Sequence, residues 1–408
     1  MRGTGSAGAR LALVITAGFF ASSSFPGRCI QVPAQSQTTT RQSTQQDSKA
    51  FQGLATRADD ARDRGRLDEA QKLYRRALAL NPKWTEGWWS LGTLYYDGDR
   101  YAEAERAFDK VVALDPKQGT ARAMLGLCEF ELEQFDRALK DIEASKTLGV
   151  LEDEQLRNVV TYHESVLLQR AGRFEAAKEA LSSLCRNGVR SNAVAGTFGL
   201  VALRMRDASP PDPNNEAGQV VQHVGRGACL SGAKEYDRAK AEFEQVISRT
   251  PHFPLVHYAY GCVLVDARDI AGAVNEFEAE IAEQPKNVLP RLHIAAAEYQ
   301  VDSAAGLKFA GEVVQLEPEL PLGHYLLGLL LLDTGAYERA VPELEIARKA
   351  FPHDGRIDLA LATAYAHVGR TQDAARAREE FARKKQAEQA AAEGAVQITD
   401  TMDARPKP

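Results

Sequence analysis

The residues best suited to chemistry in this chain are spread out rather than clustered. Cys29, Cys128, Cys185, Cys229 and Cys262 contain no C-x-x-C pair and no histidine at zinc-site spacing. Cys128, Cys229 and Cys262 fall late in predicted helices and read as small buried hydrophobes. A Cys229–Cys262 bond is not expected: packed helices lie about 8–10 Å apart, and a disulfide needs Cα atoms within roughly 7 Å. His223, His257 and His324 stand at matching places in separate stretches, so they do not converge on one ion and read as half-buried packing residues. His163-Glu164 lacks the second histidine of a zinc-protease helix, and Asp97-Gly98-Asp99 is a turn between helices rather than a calcium loop. No Gly-rich phosphate loop or nucleophile elbow occurs. The expectation is therefore no catalysis, no cofactor and no metal.

What the chain does have is a period. Gly92 and Gly126 are 34 residues apart, as are Pro82 and Pro116, Pro251 and Pro285, and Pro318 and Pro352. A small residue recurs as Ala70, Ala104, Ala138, Ala239, Ala273, Gly306, Ala340 and Ala374. Such a period marks a stacked repeat architecture. Within one period, Trp88, Leu91, Gly92 and Tyr95 share one helical face, and Asp97-Gly98-Asp99 ends that helix. Ala104, Phe108 and Val111 then face inward from a second helix, which stops before Pro116. One hairpin cannot bury its apolar faces alone, so neighbours must stack.

Trp88, Leu91, Gly92, Tyr95, Ala104, Phe108 and Pro116 resemble the tetratricopeptide repeat, and Tyr260-Gly261, Ala273, Phe277 and Pro285 match a second copy. Leu327-Gly328, Ala340, Ala347 and Pro352 match a third, with weaker copies beginning near 51, 119, 158, 220, 288 and 355. The resemblance implies an all-α, right-handed superhelical solenoid of about nine helix-turn-helix repeats, with one irregular break. Four repeats are expected over 51–186 and five over 220–378, separated at 187–219 by an unpaired helix and an exposed Pro-rich loop. A charged capping helix is expected at 379–393 and a disordered tail at 394–408.

The N-terminus reads differently. Arg2 and Arg10 precede the apolar run Leu11–Ala21, which is too short to span a bilayer and is followed by small residues. Residues 1–36 read as a signal peptide cleaved between Ser22 and Gln37, and 37–50 as a disordered polar leader. The mature chain then has no transmembrane segment and is periplasmic or secreted. Lipidation at Cys29 is not favoured, because Phe25-Pro26-Gly27-Arg28 is a poor lipoprotein motif. A net charge of −6 gives nucleic-acid binding no electrostatic support.

The resemblance further implies that first helices line a concave groove for a protein or peptide partner. The family's clamp for C-terminal carboxylates does not carry over, because its places hold Ala55, Asp59, Trp89, Thr93, Ala123 and Leu127. In the late repeats the groove places are uncharged. The candidate partner-binding residues are Leu255, Tyr258, Val265, Leu292, Tyr299, Tyr325, Leu329 and Leu332. The leading function is a non-enzymatic adaptor in the cell envelope. The alternative is a structural or accessory subunit of an envelope assembly, secretion or pilus complex with no separate ligand.

Overall fold

Most of the described helical hairpins turn on one residue in the left-handed region. After Tyr95-Tyr96, Asp99 takes φ 57°, and the Arg100 N–H reaches back to the Tyr95 carbonyl at 2.8 Å. That closes the first helix and frees the chain to reverse. Gly98, which looks like the breaker in the sequence, keeps φ −91°. Gly65, Glu133, Gly172, Lys234, Arg268, Gly335 and Gly369 hold the same position in other hairpins, all at positive φ. At the opposite junction, Asn81 and Asp115 are extended because a proline follows each.

The computed structural model describes residues 37–149, 153–206, 209, 211–299 and 301–403, with side chains of 37–45 and 390–403 excepted. The chain divides into two units, 1–225 and 226–408. In the first unit the helices are α1 (Gln37–Asp63), α2 (Leu67–Leu80), α3 (Thr85–Asp97), α4 (Tyr101–Leu114), α5 (Gly119–Glu131), α6 (Phe135–Thr147), α7 (Glu154–Arg170), α8 (Phe174–Arg186), α9 (Asn192–Ala202) and the start of α10 (Glu216–Gly232). The second unit continues α10 and adds α11 (Tyr236–Arg249), α12 (Val256–Asp266), α13 (Ile270–Glu283), α14 (Leu289–Glu298), α15 (Ser303–Leu316), α16 (Pro321–Asp333), α17 (Tyr337–Ala350), α18 (Gly355–His367) and α19 (Thr371–Asp403). This is an all-α solenoid of helix-turn-helix units, consistent with about nine repeats.

The recurring glycine has a physical reason. A Cβ on Gly92 would lie 2.9 Å from Phe108, sixteen residues on in the paired helix. Gly126 meets Ile142 at 2.8 Å, Gly261 meets Phe277 at 2.5 Å and Gly328 meets Leu344 at 2.7 Å, all at the same offset. Phe108, Ile142, Phe277 and Leu344 are fully buried. First-helix glycine and second-helix bulk are thus one packing device repeated along the chain.

The break at 187–219 contains one helix, α9, capped by the Ser191 hydroxyl on the Val194 N–H. It was expected to stand unpaired, yet it packs on α7, α8 and the first half of α10. A Cβ on Gly199 would meet the Val221 carbonyl oxygen at 2.0 Å, and one on Gly225 the Ala195 carbonyl oxygen at 1.7 Å. Backbone meets backbone here, which only glycine permits.

Both ends of the described chain correct the composition-based boundaries. Residues 37–50, read as a disordered leader, belong to α1; the stretch contains no Pro or Gly, and 46–50 extend the helix into solvent without burial. The last second helix and the expected cap at 379–393 are one helix, α19, which continues to Asp403 into the stretch read as a disordered tail. Ala374 and Ala377 bury against α18, and Phe381 and Lys384 then cover Gly355. The signal peptide expected at 1–36 lies outside the described residues. Among the described residues no helix is long and apolar enough to cross a membrane.

The cysteines also depart from expectation. Cys185 and Cys229 are each disulfide-bonded, whereas no disulfide was expected. Cys128 is a buried free thiol, and burial pushes its pKa up, away from reactivity.

Candidate functional site

In the second unit α12, α14, α16 and α18 are successive neighbours, so their exposed faces adjoin. The predicted residues are carried at helical spacing, but to different depths. Leu255 initiates α12 at φ 63°, and its N–H donates to buried Glu280 of α13. Glu280 also accepts from the Tyr258 N–H and from Gln284 Nε2, capping a helix that has no cap of its own. Tyr258 is buried: its ring lies 5.3 Å from that of His293, its hydroxyl is 3.0 Å from His293 Nε2, and Phe277 flanks it. Leu292 is buried as well. These two residues hold α12, α13 and α14 together rather than facing solvent.

Val265 and Tyr299 are half-buried, Tyr299 directly following the end of α14. On α16, Tyr325, Leu329 and Leu332 form a half-buried stripe, with Leu322 (42% exposed) at its start and Leu359 of α18 (47% exposed) at the place of Tyr325 one repeat on. Burial pushes the Tyr325 hydroxyl pKa up; Arg356 opposes this, while Asp354 and Tyr299 add to it. Tyr299, Tyr325 and the Asp354–Arg356 pair are therefore neighbours. Arg356 is occupied by that pair, Nε and Nη2 both donating to the carboxylate at 2.9 and 2.6 Å. The face presents aliphatic surface, tyrosine hydroxyls and a neutralised ion pair. Such a surface offers contact area rather than a nucleophile or base.

The histidines do more than pack. His324 is buried, with Nδ1 2.5 Å from Glu343 of α17 and Nε2 2.7 Å from the Pro318 carbonyl. His257 has Nδ1 2.6 Å from Glu276 of α13 and also engages the Pro251 carbonyl. Trp88 makes the same backward bond, its indole N–H donating to the Pro82 carbonyl at 2.9 Å. The residue at this place ties a first helix to the proline that ends the previous repeat. The carboxylates nineteen residues ahead went unnoticed in the sequence, although Arg122–Asp141 repeats the same offset. His163 is a packing residue: burial lowers its pKa, and its Nδ1 bonds the Val159 carbonyl. Glu164 beside it is paired with Lys146.

Two other places could hold a small ligand. A cavity of about 280 Å³ is lined by His252, His257, Glu280 and Glu283, but its ionisable groups are paired, His252 with Glu283 at 2.9 Å and His257 with Glu276. Its volume falls below the roughly 300–1,000 Å³ of ligand pockets. In the first unit Glu129 is fully buried beside Asp141, with Arg137 2.8 Å away. Burial, then Asp141, push its pKa up to about 7, against the pull of Arg137. Among the described residues no three histidine, cysteine or carboxylate groups could hold a metal.

The chain is thus built of repeated helical hairpins, with a part-exposed apolar face on α16 and α18. The tetratricopeptide repeat model matches residues 56–119, 90–147, 230–288 and 325–395, more than half of the chain, and the protein belongs to that family. Several solved structures are also similar to parts of the chain. MamA of strain AMB-1 is 21% identical over 40% of this chain and 90% of its own, with a TM-score of 0.36. Yeast Tom70 is 17% identical over 83% of this chain and 70% of its own, with a TM-score of 0.33. A tetratricopeptide repeat protein from Parabacteroides merdae ATCC 43184 is 14% identical over 69% of this chain and 99% of its own, with a TM-score of 0.32. No curated protein matches the chain by sequence.

Proposed function

We propose that this protein is an exported scaffold that captures an apolar segment of a protein or peptide partner on the α16–α18 face of its second unit. The observation that carries the proposal is the stripe of Tyr325, Leu329 and Leu332, flanked by Leu322 and Leu359 and left part-exposed on neighbouring helices. Contiguous exposed apolar surface is rare on soluble proteins and marks interaction sites. Val265, Tyr299 and Leu255 extend the face toward α12. Tyr258 and Leu292 support it from beneath. The tyrosines are the expected anchors, since aromatic residues dominate interface energetics.

Peptides selected from a random display library on the full chain are the direct test. Tyr325→Ala should weaken their binding about tenfold or more, in line with an anchor worth over 1 kcal/mol, while the urea midpoint barely moves. Retained affinity in Tyr325→Ala would place the binding surface elsewhere. Failure of the library to enrich any peptide would favour a structural subunit without a separate ligand.

The export part of the proposal rests on Arg2, Arg10 and the apolar run Leu11–Ala21. N-terminal sequencing of the protein from its native host should return a start between Ser22 and Gln37. An intact Met1 or Arg2 would contradict export.

A further inference from the structure

Two of the histidines sit between acceptors on both sides. His324 Nδ1 faces the Glu343 carboxylate at 2.5 Å and Nε2 faces the Pro318 carbonyl at 2.7 Å. A carbonyl oxygen can only accept, as can an ionised carboxylate. A neutral imidazole carries one N–H, so one of its nitrogens would turn a lone pair toward an oxygen. Only the imidazolium donates to both. His257 repeats the arrangement two repeats earlier, between Glu276 and the Pro251 carbonyl. Trp88 shows the plain version: one N–H, one carbonyl, no carboxylate on the other side.

We propose that His257 and His324 are protonated latches that fasten the starts of α12 and α16 to their second helices and to the preceding repeats, and that their deprotonation loosens the α12–α16 face as pH rises. The location makes this consequential. His324 adjoins Tyr325, and His257 adjoins Tyr258. The proposal takes the functional face from the scaffold proposal but does not need a partner for its test.

The surrounding charges support the protonated form. At His324, burial disfavours the cation. The Pro318 carbonyl, Glu343 of α17 and Glu319 of the α15–α16 turn together outweigh it, and the pKa is raised. Gly323, next to His324, packs on Val313 and Val314 of α15, so α15 offers aliphatic surface there. At His257 the Glu276 bond is the largest influence; burial opposes it, and Glu276 and Glu280 of α13 add their fields, again raising the pKa. A raised folded-state pKa contributes stability that is complete below the unfolded value of about 6.5 and is lost as pH rises through the folded value. Both latches therefore hold in mild acid and release on the alkaline side.

Imidazole titration by NMR on the intact, histidine-labelled chain reads the protonation directly. His257 and His324 should titrate above the ordinary value of about 6.5, and Glu343→Gln should draw the His324 midpoint down. Amide exchange at 322–326, corrected for base catalysis and referenced to α18, should rise between pH 6 and 8.5. The increase should be about tenfold for each unit by which the folded midpoint exceeds the ordinary one. His324→Gln should be loose at pH 6 already and lose the pH dependence. Midpoints at or below the ordinary value, or exchange at 322–326 that follows α18 at every pH, would overturn the proposal. Neither readout involves peptide binding, so this proposal and the scaffold proposal fail separately.

Discussion

Adding one methyl group at Gly225 should destabilise the protein by about 3 kcal/mol or more, at or beyond the upper end of ordinary overpacking. The new Cβ would stand 1.7 Å from the Ala195 carbonyl oxygen and 2.8 Å from the Gly199 N. Both obstacles are helix backbone, which cannot swing aside like the tip of a side chain. α9 must move off α10, and the buried faces of Val194, Phe198 and Val221 would open with it. Gly199→Ala should behave similarly, with the Val221 carbonyl oxygen at 2.0 Å. Gly311→Ala is the control: it lies in α15 with nothing within 4 Å of the added carbon. There the gain in helix propensity, up to about 1 kcal/mol, should raise the urea midpoint. Equal midpoints for Gly225→Ala and the parent would mean that α9 is not seated on α10 as described.

The second large effect concerns the end of the array. Asp358 of α18 is 1% exposed and is held by Lys384 of α19, itself mostly buried. Lys384→Ala should cost about 3–5 kcal/mol, because it leaves a buried carboxylate without its cation. The Asp358→Ala/Lys384→Ala double variant should lose much less than the sum of the two single changes, since neither charge is then stranded. Removing Arg383 from its exposed pair with Glu380, by contrast, should cost at most about 1 kcal/mol. Thermal and urea unfolding of the four variants measure this. Additive losses at 358 and 384 would show that the pair does not hold α19 in place.

Most of the fold was legible because the device that builds it repeats. Gly92 and Gly126 mark one contact, first-helix glycine against the second-helix residue sixteen places on, and a fixed period exposes it without knowledge of the partner. At 187–219 the period of the sequence fails. What the period cannot show is how α9 packs, since Gly199 and Gly225 belong to no repeat position. Nor does it show α19 as one helix, because the charged, alanine-rich run after 378 looks the same whether it continues a helix or begins one. The candidate face was legible as a set of places but not in depth. Tyr258 and Tyr325 hold the same place in their repeats, yet Tyr258 is covered by His293 and Phe277 while Tyr325 reaches solvent. Periodicity names the face of a helix; the neighbouring repeat decides how much of it stays open. The histidine latches were missed for a related reason, since each carboxylate partner lies on a different helix and carries no local signal.

The scaffold proposal is tested most directly by photo-crosslinking in the native host. A photoreactive residue is placed at 329 on the α16 stripe, and in a second variant at 338, on the exposed start of α17. The probe at 329 should give one discrete adduct with a partner chain, abolished when Tyr325→Ala is added, and the probe at 338 should give none. No adduct from 329, or adducts of equal yield from both positions, would contradict a binding role for the face that carries Tyr325, Leu329 and Leu332.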